Sequence, residues 1–105
     1  MYAVIRRIKV QPGSTDEVVQ RAESGLVPII SSVPGFVEYV GVQVEEDVAL
    51  TISLFETQEQ AEESTIRAAE WIKQNMAPFA AGPHEVVAAG EVRFRKAAQA
   101  GTHEY

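Results

Sequence analysis

The segment PGFVEYVGVQVEEDVALTISLFE, residues 34–56, has the pattern of two β-strands joined by an acidic turn. Alternate positions form two apolar runs: Phe36, Val40, Val42 and Val44, then Val48, Leu50, Ile52 and Leu54. Period-two alternation with many β-branched residues is typical of strands, and Glu45-Glu46-Asp47 has the length of a hairpin connection. The other positions of the second run are Ala49, Thr51, Ser53 and Phe55. Neither face of this hairpin is strongly polar, so both faces need a cover.

Before the hairpin, the sequence predicts a strand over residues 2–10 and a helix that begins at Ser14. Glu17 follows Ser14 by three residues, which is the spacing of a capping box. The predicted buried stripe of this helix contains Val18, Ala22, Leu26, Ile29 and Val33. Gly25 and Pro28 interrupt the helix, so we expect a kink near Gly25. Such a kink either lets the helix follow a curved sheet or widens a gap that admits a ligand.

After the hairpin, a second helix is predicted over residues 57–77, and Thr57 with Gln60 forms another capping box. Its predicted core stripe contains Ala61, Thr65, Ala68, Ile72, Met76 and Phe79. A last strand is predicted over residues 84–95, with Gly90 at a bulge or bend. The order β-α-β-β-α-β predicts an α+β, ferredoxin-like fold with a four-stranded antiparallel sheet and both helices on one face.

The helices of such a fold cover one face of the sheet and leave the other face bare. The bare face would carry too many apolar side chains for a monomer, so we expect a homodimer in which two sheets pack face to face as a dimeric α+β barrel. The folded domain is expected to span residues 1–96. Residues 97–105 are small and polar, and we expect them to form a flexible C-terminal tail.

Composition narrows the classes of function. The 105 residues carry a formal net charge of −6 and no cysteine, which excludes disulfides and thiolate chemistry and argues against a nucleic-acid-binding protein. No apolar run reaches the roughly 18 residues of a membrane span, and the first residues lack the pattern of a signal peptide. We therefore expect a cytoplasmic protein with no membrane partner. His84 and His103 have no metal-binding spacing, so no metal site is predicted.

Arg6 lies on an otherwise apolar face of the first strand. A buried arginine needs a paired partner or a wet cavity, and Glu38 and Glu91 on other strands are carboxylates that can pair with it. Basic residues collect on the first and last strands: Arg6, Arg7, Lys9, Arg93, Arg95 and Lys96. Two interpretations stay open, namely ion pairs between strands or subunits, and a site for an anionic or enolate-like ligand.

Residues 2–95 resemble the antibiotic biosynthesis monooxygenase family of the dimeric α+β barrel superfamily. The resemblance rests on the split βαβ order, VPGFVEY (33–39), LFET (54–57), Trp71 on the second helix and GEVRF (90–94). It implies a pocket between the helices and the sheet and, as in some members, oxygenation of aromatic polyketides or quinols without a cofactor. Haem-degrading members carry an Asn on the first strand and a His on the second helix, and this sequence has neither there.

The resemblance also implies site residues. Polyketide oxygenases of the family carry an Asn one turn before a Trp on the second helix. Here Trp71 fits the Trp, Arg67 occupies the earlier position, and Asn75 lies one turn later. The predicted catalytic residues are Trp71, Asn75 and Tyr39, which can donate hydrogen bonds to a substrate oxygen. The predicted substrate-binding residues are Arg6, Phe55, Ala68 and Ile72.

Two functions remain in competition at this point. One is a cofactor-independent monooxygenase of a small aromatic or quinol-like substrate. Its weak point is the base, because no histidine lies on the elements expected to form the pocket. The other is a non-catalytic, dimeric protein that binds a small ligand or responds to stress.

Overall fold

The computed structural model describes residues 1–82 and 84–98. Its elements are β1 (Tyr2–Lys9), α1 (Thr15–Arg21), a π-helical turn (Ala22–Leu26), α2 (Val27–Ser31), β2 (Phe36–Glu45), β3 (Val48–Phe55), α3 (Gln58–Asn75), a 3-10 turn (Ala77–Phe79) and β4 (Glu85–Glu91). The strands form one sheet in the order β2-β3-β1-β4, and every neighbouring pair is antiparallel. The ferredoxin-like α+β fold predicted from the sequence is therefore confirmed.

The hydrophobic core lies between one face of the sheet and the helices. It contains Val4, Leu26, Ile30, Val33, Phe55, Ala61 and Ala68. On β3, the buried positions are Val48 at its start and then Thr51, Ser53 and Phe55, whereas Leu50, Ile52 and Leu54 alternate with the last three and are only partly buried. The helices thus cover the face of β3 that carries its hydroxyl groups, and the aliphatic face is left without a helix.

A bulge in β2 reverses part of the predicted strand pattern. The sequence placed Phe36 on the same face as Val40, but the pairing with β3 shifts between Phe36 and Glu38. Phe36 pairs with Phe55 in the core, where the two rings meet edge to face with centroids 5.9 Å apart. Val40 pairs with Ile52 on the opposite face. The common-face prediction is wrong because the extra residue of the bulge changes which side chains point to the helices.

The predicted irregularity near Gly25 is a π-helical turn that joins α1 to α2 without a break. A π turn spreads the backbone hydrogen bonds just before Pro28, which has no N–H to donate. Gly25 in this turn lies against the indole of Trp71, and a Cβ at Gly25 would sit only 2.4 Å from its Cζ2 atom. The turn therefore lets the first helix approach α3 closely while α1 stands away from the sheet.

The two predicted capping boxes have different outcomes. At Thr57 the capping box is confirmed: its hydroxyl accepts from the Gln60 N–H, and the Gln60 side chain accepts from the Thr57 N–H at 3.0 Å. At Ser14 the prediction is wrong, since the side chain makes no capping bond. The backbone of Ser14 is already helical (φ −92°, ψ −4°), whereas a capping residue needs extended geometry, as Thr57 has. None of the described helices is long and apolar enough to cross a membrane.

β4 is shorter than predicted. It ends at Glu91 rather than at residue 95, because the Val92 N–H bonds to the Met1 carbonyl and β1 offers no further partner. The irregularity in its pairing with β1 lies between Ile5 and Arg6, not at Gly90. Residues 92–98 continue without sheet pairing, and the rest of the predicted tail, residues 99–105, lies outside the described residues.

Candidate functional site

Two adjacent cavities lie between the first helix and the sheet. The larger cavity has a volume of about 440 Å³, and the smaller cavity has a volume of about 180 Å³. Both are lined mainly by aliphatic side chains and share four of them: Ile8, Val10, Val18 and Ala22. The polar residues of the larger cavity are Thr15, Glu23, Tyr39, Gln43, Asp47 and Thr51. An apolar cavity with a few convergent polar groups is the usual form of a small-molecule site.

Arg6 is buried beside the larger cavity, with only 1% of its surface exposed. It projects from β1 toward α3 and pairs across the sheet with Thr51, which lines that cavity. Its guanidinium donates to three hydroxyls, those of Ser53 (3.0 Å), Ser64 (3.4 Å) and Thr65. The predicted carboxylate partners are wrong: Glu38 binds Arg95, and Glu91 lies near the N-terminal ammonium.

The hydrogen-bond partners of the Arg6 guanidinium are therefore neutral hydroxyl groups, which do not cancel its charge. No carboxylate among the described residues lies within 4.0 Å of its guanidinium. Burial lowers the pKa of Arg6, and the nearby Tyr39 acts in the opposite direction. Arginine nevertheless stays protonated in proteins, so the site holds a permanent positive charge. A buried cation with no counterion favours an anion nearby.

Two polar groups near Arg6 are left without hydrogen bonds. These are the Arg6 Nε atom and the Thr51 Oγ1 atom. Thr51 is only 9% exposed, and buried polar atoms without partners are uncommon because each costs about 1–3 kcal/mol. The Thr51 hydroxyl is close enough to the Tyr39 hydroxyl to affect the pKa of the phenol, so a ligand oxygen at the wall of the larger cavity would interact with both groups.

Tyr39 presents its ring and hydroxyl to the same cavity, on the helix-covered face of β2 opposite Ser53. Burial raises the pKa of its hydroxyl above 10.0, although the nearby Thr51 hydroxyl and the positive charge of Arg6 oppose this shift. The phenol therefore stays protonated at neutral pH. It can donate a hydrogen bond to a substrate oxygen, as the sequence analysis proposed.

His84 lines the smaller cavity, at the start of β4. Partial burial lowers the pKa of its imidazole below 6.5, and the positive charge of Arg6 lowers it further. The ring is neutral at pH 7 and can accept a proton. The sequence gives no sign of this position, because His84 is predicted only as the first residue of the last strand, where the strand pattern does not show which way its side chain points.

The helix residues predicted to be catalytic lie behind the cavities. Neither Trp71 nor Asn75 lines the larger or the smaller cavity. The indole of Trp71 packs on Gly25, and the Asn75 amide donates to the Trp71 carbonyl at 2.9 Å. Trp71 thus stabilises the contact of α3 with the first helix, whereas the Asn75 amide is bonded within α3. Their catalytic role stays a prediction.

The remaining predicted binding residues are also separated. Ile72 lines the smaller cavity, as expected of a binding residue. Phe55 (0% exposed) and Ala68 (1% exposed) are core residues and line neither cavity. The structure thus brings Arg6 and Tyr39 together near the larger cavity. The other predicted residues lie in the core, within α3 or at the smaller cavity.

The hairpin turn closes one end of the larger cavity. Asp47, which has a positive φ of 61°, accepts hydrogen bonds from the Thr15 hydroxyl (2.8 Å) and the Gly13 N–H (3.2 Å). The Asp47 carbonyl also accepts from the Val10 N–H at 2.9 Å. The acidic turn is therefore tied to the loop before α1. No group of three or more metal-binding side chains occurs in residues 1–82 and 84–98.

Comparison with protein families gives one match. The model of the antibiotic biosynthesis monooxygenase family matches residues 1–68. These residues include β1 to β3, the first helix and the first half of α3, and thus Arg6, Tyr39 and Thr51. No curated protein matches the sequence significantly.

Solved structures with the same fold cover nearly the whole chain. A protein of unknown function from Nitrosomonas europaea has a TM-score of 0.79 at 14% identity, over 93% of this chain and 94% of that one. A monooxygenase from Streptomyces coelicolor in complex with nanaomycin D has a TM-score of 0.72 at 18% identity, over 93% and 92%. SnoaB, a cofactor-independent oxygenase from Streptomyces nogalater, has a TM-score of 0.66 at 10% identity, over 90% and 94%. At these identities the similarity shows the fold alone.

The burial of Arg6 generates a prediction about stability. We expect Arg6→Met to change the free energy of unfolding by no more than about 2 kcal/mol, because it removes a desolvated charge and fills a similar volume. The Ser64 and Thr65 hydroxyls would still donate to the Ala61 carbonyl. Ser53→Ala should cost at least as much, about 1–3 kcal/mol, since it leaves a buried guanidinium N–H without a partner. Urea unfolding of the two variants measures this, and a loss above about 4 kcal/mol for Arg6→Met would show that the charge holds the fold together.

Proposed function

The chain belongs to the antibiotic biosynthesis monooxygenase family, and we propose that it oxygenates a small aromatic or quinol-like molecule without a cofactor. The observation that carries the proposal is a buried arginine with no carboxylate counterion beside an apolar cavity that also holds a protonated tyrosine. The solved structures named as a monooxygenase and a cofactor-independent oxygenase share the fold and support the same class of chemistry.

The larger cavity suits the substrate. Its volume of about 440 Å³ and its aliphatic walls favour a flat molecule of two or three fused rings. The substrate oxygen would accept a hydrogen bond from the Tyr39 hydroxyl. The Arg6 charge would stabilise the phenolate or enolate that forms when the substrate loses a proton, and it acts through a water-poor wall where such charges are effective.

The reaction needs no metal or flavin in principle. An activated methylene group, such as that of an anthrone, loses a proton to become a carbanion, which gives one electron to O2. The resulting radical and superoxide combine to a peroxide, whose O–O bond breaks as the second hydrogen leaves. One O2 is consumed, the methylene becomes a carbonyl, and one water is released. The protein contributes deprotonation, stabilisation of the anion and exclusion of bulk water.

His84 is the candidate base. It is neutral at pH 7, lines the cavity next to the larger one and lies within the electrostatic influence of Arg6. Trp71 and Asn75 would act indirectly in this proposal. Trp71 positions the first helix through Gly25, this helix forms one wall of both cavities, and Asn75 is bonded to the backbone of Trp71.

One observation favours the competing function, a protein that binds a ligand without turnover. The donor group of Asn75 is already bonded to the helix backbone, so the pair that the family resemblance assigns to catalysis has a structural use here. A co-purifying aromatic ligand in native mass spectrometry, together with no oxygen uptake, would support this function. Cytoplasmic localisation is compatible with both functions and stays a prediction.

Tyr39→Phe tests the oxygenase proposal. The change removes one hydroxyl from the cavity, and we expect oxygen uptake with anthrone-like and quinol substrates to fall about 10²-fold in kcat, since one donor to a developing oxyanion is lost. Tyr2→Phe is the matched control and should leave the rate unchanged. An oxygen electrode measures both. Equal rates in Tyr39→Phe and the wild type would remove Tyr39 from the mechanism.

The pH dependence of kcat tests His84. Only the neutral imidazole accepts a proton, and its pKa is lowered from 6.5, so the rate should be maintained at pH 6.5 and fall as pH drops through the lowered pKa. In His84→Gln we expect kcat to be about 10²-fold lower and this acid limb to vanish. Persistence of the limb in the variant would assign it to another group.

A homodimer formed through the bare face of the sheet is part of the proposal. Val40 on this face is 40% exposed, lines neither cavity and continues the patch of Leu50, Ile52 and Leu54. Light scattering should give twice the chain mass of 11.5 kDa, and Val40→Glu should shift the mass toward that of one chain by burying a charge at the interface. A wild-type mass near 11.5 kDa at micromolar concentration would contradict the dimer.

A further inference from the structure

The segment that follows β4 turns away from the sheet pairing and crosses the bare face. Residues 92–98 form this C-terminal strap, which begins where the Val92 N–H bonds to the Met1 carbonyl. Three residues later, the Arg95 guanidinium donates to one oxygen of Glu38 on β2, from Nη2 at 2.8 Å and from Nε at 3.2 Å. Because β1 and β3 lie between β4 and β2, the strap reaches roughly 14 Å across the strands.

The strap lies on the face that no helix covers. Glu38 pairs in register with Leu54, which is on the aliphatic side of β3. These two side chains line a groove together with Val92, Phe94 and Arg95 of the strap. The strap is therefore held over the bare face at the end of the sheet where β1 begins.

Phe94 is the most exposed large apolar side chain of the described residues, with 91% of its surface open to solvent. Its neighbour Arg95 is bonded to Glu38, so the backbone is fixed next to a ring that contacts little of its own chain. Leaving a whole phenylalanine side chain in water is unfavourable. Aromatic side chains that are held in place on a protein surface are typical anchors of protein interfaces.

The register of the sheet shows what a second copy would place against the strap. One row of paired residues runs across all four strands: Glu38, Leu54, Ala3 and Gly90. When two sheets pack face to face about a two-fold axis parallel to the strands, this row faces its own copy in reverse order. Phe94, next to the Glu38 end of the row, then meets the end that carries Ala3 and Gly90.

That end of the row has room for an aromatic ring. Ala3 has only a methyl group, and a Cβ built at Gly90 would meet no atom within 4 Å apart from its chain neighbours. Gly90 also has no positive φ, so nothing within the single chain requires a glycine there. A glycine inside a strand often marks the close approach of another group.

We propose that the C-terminal strap is an interface element and that Phe94 of each copy packs on Ala3 and Gly90 of the partner subunit. This arrangement rests on the homodimer proposed above and names the side chain that anchors it. The strap lies in the layer between the two sheets, so the two-fold symmetry buries both phenyl rings at once. The charges agree, since the strap also carries Lys96, and β4 of the opposite copy ends in Glu91.

A pair of variants tests the role of Phe94 by sedimentation velocity over a dilution series. Phe94→Ser removes a ring that packs on little within one chain, so circular dichroism should show an unchanged fold. We expect the dissociation constant of the dimer to rise at least about 30-fold, as for an interface hot spot. Ile66→Ser is the matched control, because Ile66 is 65% exposed on α3, on the other side of the sheet. It should leave the dissociation constant unchanged.

Photocross-linking locates the contact. Phe94→p-benzoylphenylalanine should give, on irradiation, a species of twice the 11.5 kDa chain mass with the link in β1 or β4 near Ala3 and Gly90. The same probe at Ile66 should give no such species. An unchanged dissociation constant in Phe94→Ser, or links between chains that map only to β2 and β3, would overturn the inference and leave the homodimer standing. A monomeric wild type would overturn both, and neither assay depends on oxygen uptake.

Discussion

A single guanidinium group links the sheet to α3. Arg6 leaves β1 on the face that the helices cover, crosses to the hydroxyl of Ser53 on β3 and reaches Ser64 and Thr65 on α3. These bonds place a permanent positive charge in the interior without a carboxylate to neutralise it. Hydroxyl groups accept from its two terminal nitrogens, but they leave Nε unpaired and do not cancel the charge. The interior therefore holds a positive charge without a counterion, and an anion bound in the cavity beside Arg6 would compensate it.

The shape of that cavity depends on the irregular first helix. Pro28 cannot continue a regular hydrogen-bond ladder, and the π turn before it places Gly25 directly on Trp71. The C-terminal half of the helix is thereby packed into the core, where Leu26 and Ile30 are buried, whereas α1 has no buried residue. The space under α1 is what the two cavities occupy. From the sequence, the interruption of the first helix could either let the helix follow a curved sheet or widen a gap for a ligand. In the structure the C-terminal half of the helix covers the core, and α1 leaves the space of the cavities.

The order of elements and the start of α3 could be predicted from the sequence, because period-two alternation and a capping box depend on near neighbours in the chain. The details of the site could not. The bulge after Phe36 moves Val40 to the opposite face, and no local pattern announces it. The sequence suggests carboxylate partners for Arg6, yet its guanidinium donates to hydroxyls that come from distant parts of the chain. His84 reaches its cavity only through the antiparallel docking of β4 on β1.

The family resemblance is informative about the fold and less so about individual side chains. It correctly indicates a cavity between helices and sheet, which follows from the fold. It assigns catalysis to Trp71 and Asn75, and here those side chains have identified structural contacts. Two of the polar groups that line the larger cavity, Tyr39 and Thr51, come instead from the strands, which hold them in fixed register. A site built on paired strands is rigid, and rigidity favours stabilisation of one charged state.

The proposed function depends on the buried charge of Arg6, which would stabilise the anion of an aromatic substrate. The most direct measurement is the pKa of a nitronaphthol bound in the cavity, followed by the visible absorbance of its phenolate during a pH titration. We expect a bound pKa about one unit below that of the free nitronaphthol in the wild type, and loss of this shift in Arg6→Met. A bound pKa equal to or above the free value in the wild type would contradict the account, because burial without charge stabilisation disfavours the phenolate.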